Sequence, residues 1–282
     1  AAWKLGPALA AGNCVVLKPA EQTPASILKV AELIGDLLPP GVLNIVNGFG
    51  AEAGQALATS KRIAKIAFTG GIQSGTHVYE KAAAGLKKVS LELGGKSPNI
   101  VFDDADLDNA VKGAISGIFA ATGQTCIAGS RLLVQNKIHN EFVDKLVAFA
   151  KTAEMGDPMS LDTQAGPVTT MPQFEKILGY LDVAKDEGAE CVLGGARPEK
   201  MEKGYYYEPT IFTGVDNAMQ IAQEEIFGPV VSVITFKDEE EAVRIANDSM
   251  YGLGGAVWSK DTERALAMAR RLETGTVWIN DY

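Results

Sequence analysis

KIAFTGGIQSGTHVYEKAAAGLKKVSLELGG, residues 65–95, decides how the chain reads. A short apolar strand pattern, KIAF, runs into a glycine turn. The helical stretch SGTHVYEKAAAG follows, and a second strand pattern, KKVSLE, runs into another glycine pair. Strand, helix and strand at this spacing predict a βαβ crossover, which joins parallel strands. The same alternation lies upstream. CVVLKP (14–19) reads as a strand ended by proline, and TPASILKVAELIGDLL (23–38) as an amphipathic helix with Thr23 as N-cap and Pro24 at its first position. GVLNIVNG (41–48) and EAGQALATS (52–60) repeat the pair.

In parallel sheets of this kind ligands sit beyond the carboxyl ends of the strands. The loops there are KPAEQ (18–22), NGFGAEAG (47–54), FTGGIQSG (68–75) and ELGGKSP (92–98). Glycine lets backbone N–H groups approach an anion at a helix start, as a pyrophosphate requires. Gly48, Gly50 and Gly54 lie in one such loop and Gly70, Gly71 and Gly75 in another. Neither keeps the strict G-x-G-x-x-G spacing, and either alone reads equally well as a tight turn.

From about Ser97 a second α/β lobe begins. The segment 106–122 predicts a nearly fully buried helix, started by Asp104 or Asp106 and stopped at Gly123, which leaves Cys126 in a buried loop just past a helix end. Strand patterns follow at RLLVQ (131–135), AECVLGG (189–195), within EEIFGPVVSVITF (224–236), at GGAVWS (254–259) and at GTVWIN (275–280). Helical patterns cover 138–153, 171–187, 238–249 and 261–273. Two domains are expected, 1–94 and 95–282.

A formal net charge of −9, with no Lys/Arg-rich block, argues against nucleic acid and against an anionic membrane as partner, and leaves small molecules. The three cysteines are odd in number and far apart, which fits reduced thiols in a cytoplasm better than a disulfide framework. No apolar run reaches bilayer-spanning length and no signal peptide is visible, so neither membrane nor secretion is expected. No metal is expected.

A lone cysteine usually packs as a small hydrophobe. A working nucleophile needs a base, a positive neighbour or a helix terminus. The two histidines are poor partners for Cys126: His77 falls in the helix after Gly75, and His139 opens the polar NKIHNEF helix start. Glu92 is the better base. Its neighbours Val89, Leu91 and Leu93 are apolar and Gly94 and Gly95 follow, so partial desolvation is expected to raise its pKa. Cys14 and Cys191 sit in strand patterns and are expected to pack, as are Trp258 and Trp278.

FTGGIQSG, SLELGGKSPNIV, GQTCIAGSR and EEIFGPV, in that order, resemble the NAD(P)-dependent aldehyde dehydrogenase superfamily across essentially all 282 residues. The resemblance implies a three-layer, parallel-sheet α/β fold in which 1–94 is part of an NAD-binding domain and 95–282 is the catalytic domain. It implies that Cys126 attacks an aldehyde to give a thiohemiacetal, whose oxyanion is held by the Cys126 N–H and an asparagine side chain. Hydride then passes to NAD⁺, and Glu92 activates the water that hydrolyses the thioester. Lys4 matches a proton-relay lysine. Lys18 and Glu21 match the pair at the adenosine ribose, where a carboxylate repels the 2′-phosphate of NADP⁺ and favours NAD⁺. Gly48, Gly70, Gly71, Gly75 and Leu93 belong to the cofactor set, and Glu225 and Phe227 to the nicotinamide ribose. Gly71 departs from the serine usual there, which removes a hydroxyl donor.

The oxyanion asparagine belongs to a Pro-Trp-Asn motif that would precede Ala1, so the resemblance implies the middle of a longer protein, a homodimer or homotetramer. GTVWINDY (275–282) resembles the betaine-aldehyde branch. Two alternatives stay open: a CoA-acylating relative, which Glu92 disfavours, and a catalytically idle homologue, which the joint presence of Cys126 and Glu92 opposes.

Overall fold

A helix opens the chain and the predicted strand and helix alternation follows, in a computed structural model that describes residues 1–282. Backbone contacts divide it into two units, Ala1–Leu93 and Gly94–Tyr282. The first contains α1 (Ala2–Ala10), β1 (Val15–Leu17), α2 (Ala25–Ile34), β2 (Leu43–Ile45), α3 (Gln55–Thr59), β3 (Lys65–Thr69), α4 (Ile72–Ala83) and β4 (Lys88–Glu92). β1 pairs with β2 and β3 with β4, both in parallel, with Lys65 opposite Lys88 and Thr69 opposite Glu92. The βαβ reading of residues 65–95 therefore holds. At α2 the expected cap does not form: the helix starts after Pro24, and no side chain caps it. Of the helix expected over 52–60, residues 50–54 form a wider π turn and only Gln55–Thr59 are α-helical.

The second unit contains β5 (Pro98–Val101), α5 (Leu107–Phe119), β6 (Arg131–Gln135), α6 (His139–Ala150), α7 (Met171–Asp186), β7 (Glu190–Leu193), β8 (Thr210–Thr213), α8 (Gln220–Gln223), β9 (Val230–Phe236), α9 (Glu239–Asn247), β10 (Gly254–Trp258), α10 (Thr262–Ala269) and β11 (Thr276–Ile279). Its seven strands run in the order β11-β10-β5-β6-β9-β8-β7, and every neighbouring pair is parallel except β7 with β8. Strand alternation sends Ile100, Phe102, Leu133 and Ile234 to one face, against α7 to α10. Val101, Leu132, Val134 and Val233 go to the other, against α5 and α6. Side chains buried on both faces make this unit three-layered.

β5 and β8 are strands that the periodicity does not announce. Pro98–Val101 and Thr210–Thr213 are each buried at all four positions, so neither shows the alternation that marks a half-exposed strand. Pairing on both sides overrides the weak strand preference of Pro98 and Asn99. The buried Asn99 is satisfied in part by the Trp258 indole, whose Nε1 donates to its Oδ1 at 2.8 Å.

Asp106, not Asp104, caps α5, accepting from the Asn109 N–H at 3.2 Å. Asp104 instead accepts from the Ser259 hydroxyl at 2.9 Å and from the Asp261 N–H at 3.2 Å. α5 ends at Phe119, earlier than expected, because Ala121 (φ 49°), Thr122 (φ 54°) and Gly123 (φ 67°) all take left-handed backbone angles.

Arg131 on β6 is 1% exposed and makes four side-chain hydrogen bonds. Its Nε donates to the Lys96 carbonyl at 2.9 Å, and its Nη atoms donate to Asn217 Oδ1 at 3.0 Å, the Ile245 carbonyl at 2.9 Å and the Ala246 carbonyl at 2.7 Å. It thereby holds the last turn of α9 and the Gly94–Lys96 segment to one strand. Burial pulls its pKa down to about 10, opposed by Asp248.

Candidate active site

In the second unit the site is built on a turn. Gly123 is required there twice over, by its positive φ and because a Cβ would collide with the Gly228 carbonyl. Gln124 braces the next step: its Oε1 accepts from the Thr169 N–H at 3.1 Å and its Nε2 donates to Thr122 Oγ1 at 2.5 Å. The Ala128 N–H then donates to the Thr125 carbonyl at 3.0 Å, closing a turn around Cys126. Cys126 is half-buried and in no disulfide.

Two glycines bring three distant segments together. A Cβ on Gly95 would strike the Cys126 carbonyl, and a Cβ on Gly94 would strike the Glu225 carboxylate. The Gly95 N–H donates to Glu225 Oε1 at 3.0 Å. Burial raises the pKa of Glu225, with the Gly95 N–H, Lys176 and Lys96 pulling the other way. Phe227 is held at φ 59°, a strained angle for a bulky residue. Gln173 of α7 clamps it, donating from Nε2 to the Ile226 carbonyl at 2.8 Å and the Phe227 carbonyl at 2.9 Å. A small cavity lined by Gly95, Thr125, Ser130, Glu225 and Phe227 lies among these segments.

Lys96 is the residue that sequence reasoning missed here. It is 1% exposed and its Nζ has no hydrogen-bond partner. Burial pulls its pKa down to about 7; Arg131 and Lys176 add to that effect, while Glu225 and Glu224 oppose it. An ordinary lysine titrates near 10.4, so between about pH 7 and about pH 10 the unfolded chain binds the extra proton and this group's contribution makes stability rise with pH. Lys96→Met is expected to be more stable than the parent chain below about pH 7, with the difference shrinking toward about pH 10. Urea midpoints of both across that range check it, and parallel profiles would refute it.

In the first unit, Lys18 links two of the expected cofactor loops. Its Nζ donates to the Gly48 carbonyl at 3.1 Å and the Pro19 carbonyl at 2.7 Å, and pairs with Glu21 Oε2 at 3.4 Å. The Glu21 carboxyl lies below the usual range, through a backbone hydrogen bond first and Lys18 second. Gly48 (φ 147°) faces the Ala53 Cβ. A Cβ on Gly70 would strike the Phe68 ring, and one on Gly75 would strike the Leu93 side chain, so Leu93 packs on α4. Gly71 occupies the N-cap of α4 with open space around its missing Cβ, and no side chain caps the first turn. The donors at that helix start suit a phosphate, so the residues present fit a dinucleotide. Lys4 donates to Thr69 Oγ1 at 2.6 Å.

Two expectations are corrected. Glu92 is exposed, not partly desolvated: alternation along β4 sets it with Lys88 and Ser90 on the exposed face, while Val89 and Leu91 are half-buried. Cys14 is exposed as well, because it precedes β1, whose only strand partner is β2. Cys191 is half-buried in β7, and burial pushes its thiol pKa up. His77 meets Gln55 Oε1 at 2.6 Å and His139 meets Asn140 Oδ1 at 2.9 Å, so each is engaged locally. No helix is long and apolar enough to cross a membrane.

A sequence model of the aldehyde dehydrogenase family matches residues 1–282, and the chain belongs to that family. It is 53% identical over 292 residues to the acetaldehyde dehydrogenase of Pseudomonas aeruginosa, aligning all of this chain with 57% of that protein. It is 54% identical over 289 residues to the long-chain-aldehyde dehydrogenase of an Acinetobacter species, again with 57% of that protein covered. Among solved structures, betaine aldehyde dehydrogenase from Staphylococcus aureus in complex with NAD⁺ superposes with a TM-score of 0.97 at 46% identity, covering 99% of this chain and 56% of that one. The chain thus spans about 57% of the length of the curated relatives it matches, and its α/β architecture is theirs.

Proposed function

We propose that the chain carries the thiol-bearing part and a portion of the cofactor-binding part of an NAD-dependent aldehyde dehydrogenase that makes carboxylic acids. The observation that carries this reading is the convergence of Gly94–Gly95, Cys126 and Glu225 inside one unit, with glycines where any side chain would collide with the other two.

In this reading the Cys126 thiolate adds to the aldehyde carbon. A C–S bond forms, and the carbonyl π pair moves onto oxygen, where the Cys126 N–H receives it. When bound, NAD⁺ supplies the acceptor for the hydride that must leave this carbon as it becomes a thioester. Glu92 takes a proton from water, the water oxygen attacks the thioester, and the C–S bond breaks to return the thiolate. Its exposure on β4 suits a base that must be reached by water. Glu225, gripped by the Gly95 N–H, and Phe227, clamped by Gln173, are assigned to the nicotinamide ribose. Lys18 and Glu21 are assigned to the adenosine ribose, Gly48, Gly70, Gly71 and Gly75 to the pyrophosphate region, and Leu93 to the wall behind α4. Lys4 is assigned to proton relay.

Residues 1–94 serve as part of the NAD-binding domain and 95–282 as the catalytic domain. The Glu21 carboxylate supports NAD⁺ over NADP⁺. A small-molecule aldehyde as substrate, a cytoplasmic setting and a homodimeric or homotetrameric full-length protein complete the proposal.

Brief alkylation with iodoacetamide, with and without NAD⁺, followed by peptide mapping, tests it. NAD⁺ is expected to change the labelling rate at Cys126 and at neither Cys14 nor Cys191. The exposed Cys14 labels as an ordinary thiol and sets the reference. A Cys126 rate equal to that of Cys14 and indifferent to NAD⁺ would sink the reading.

A further inference from the structure

The turn around Cys126 is held from a segment 155 residues away in sequence. The Tyr282 hydroxyl donates to the Ile127 carbonyl, one residue beyond the thiol. The Tyr282 ring lies where side chains are missing: a Cβ on Gly129 would come within 2.9 Å of it, and one on Gly117 of α5 within 2.7 Å. Gly129 and Gly117 are joined to each other, the Gly129 N–H donating to the Gly117 carbonyl at 3.0 Å. The glycines at these positions therefore accommodate one aromatic ring.

The tyrosine is itself firmly placed. Asn280 takes a left-handed φ of 53° just after β11. Its side chain exchanges hydrogen bonds with the Ser259 backbone, accepting from the N–H at 3.0 Å and donating to the carbonyl at 2.9 Å. That bend sends the next residues back toward α5, where the Ser116 hydroxyl donates to the Tyr282 carbonyl at 3.1 Å. The Trp278 ring packs on Tyr282 with centroids 5.2 Å apart. Burial raises the phenol pKa well above its ordinary range, so the donor persists where a thiol titrates.

We propose that Tyr282 is a positioning residue for Cys126: its hydroxyl and ring fix the turn that presents the thiol. The proposal rests on the reading of Cys126 as nucleophile. Loops are the softest parts of a fold, and a reacting atom displaced by a fraction of an ångström loses rate. A carbonyl pinned one residue from the sulfur limits that displacement.

Tyr282→Phe keeps the ring and removes the donor. In the variant, amide exchange at Ala128 and Gly129 is expected to quicken about threefold to tenfold, the net worth of one hydrogen bond. Iodoacetamide labelling at Cys126 is expected to slow by a similar factor, with the Cys191 rate unchanged. Gly117→Ala provides the second variant. It favours the helix by propensity yet pushes the ring aside, so a purely structural role for the contact predicts no loss at Cys126, and positioning predicts the same slowing. Unchanged exchange, or quickened exchange with an unchanged Cys126 rate, overturns the proposal. If Cys126 of the unsubstituted chain labels no faster than Cys14, with or without NAD⁺, it is the nucleophile reading that fails, and the exchange rates alone then decide whether Tyr282 holds the turn.

Discussion

Cys126→Ala in the full-length protein is expected, on the proposed function, to lower NAD-dependent aldehyde oxidation by about 10⁴-fold or more, the scale on which enzymes lose rate with their covalent nucleophile. The substitution removes the sulfur that forms the C–S bond, while the turn that carries it keeps its backbone hydrogen bond from the Ala128 N–H to the Thr125 carbonyl. Affinity for NAD⁺ is expected to stay within about threefold, because the assigned ribose contacts come from Glu225 and Phe227 and from the first unit. NADH absorbance in the assay and direct titration of the cofactor separate the two effects. Cys191→Ala supplies the contrast: its sulfur donates to the Leu193 carbonyl at 3.3 Å inside β7, and its loss is expected to cost less than about twofold in rate. A Cys126→Ala protein that keeps a tenth or so of its activity would overturn the covalent mechanism, since residual rates that high need an intact nucleophile.

Arg131→Met is expected to destabilise the second unit by at least about 3 kcal/mol, since each buried acceptor left unsatisfied costs about 1–3 kcal/mol. The methionine fills part of the volume but donates nothing. Three carbonyls, those of Lys96, Ile245 and Ala246, and the Asn217 side-chain oxygen are left without their donor in an interior that water does not reach. Arg131→Lys is expected to fall between the two, because an ammonium carries three donors where the guanidinium offers five in a planar fork. Urea unfolding read by tryptophan fluorescence measures both variants. A midpoint for Arg131→Met within error of the parent would mean that the carbonyls find other partners. The consequence also reaches the site: the Lys96 carbonyl is one residue from Gly95, so loosening Arg131 loosens the glycines that grip Glu225 and Cys126.

Local pattern was enough for much of this protein. The parallel β3–α4–β4 crossover follows from strand and helix periods separated by glycine turns, and α5 with an aspartate cap follows from a short polar side chain placed before an apolar helical run, the structure choosing Asp106 over Asp104. That Cys126 lies in a loop past a helix end was also legible, although the helix stops at Phe119 and not at Gly123. These features depend on neighbours within a few residues, which a single sequence displays.

What escaped the sequence depends on partners far along the chain. β5 and β8 are strands because other strands flank them and bury both faces, which erases the alternation that would have announced them. Cys14 precedes an apolar strand pattern but is exposed, because burial is set by what packs on top, whereas the exposure of Glu92 follows the alternation of Lys88, Ser90 and Glu92 along β4. Lys96 and Arg131 stand out in no local pattern, yet the fold encloses both and gives side-chain hydrogen bonds only to the second. Tyr282 reaches the Cys126 turn across 155 residues. The sequence by itself determined most of the element types, the crossover hand-over from strand to helix and the chemistry on offer. Only the tertiary structure decided which polar groups lose water and which glycines must make room, because desolvation and steric contact are properties of residues brought together in space.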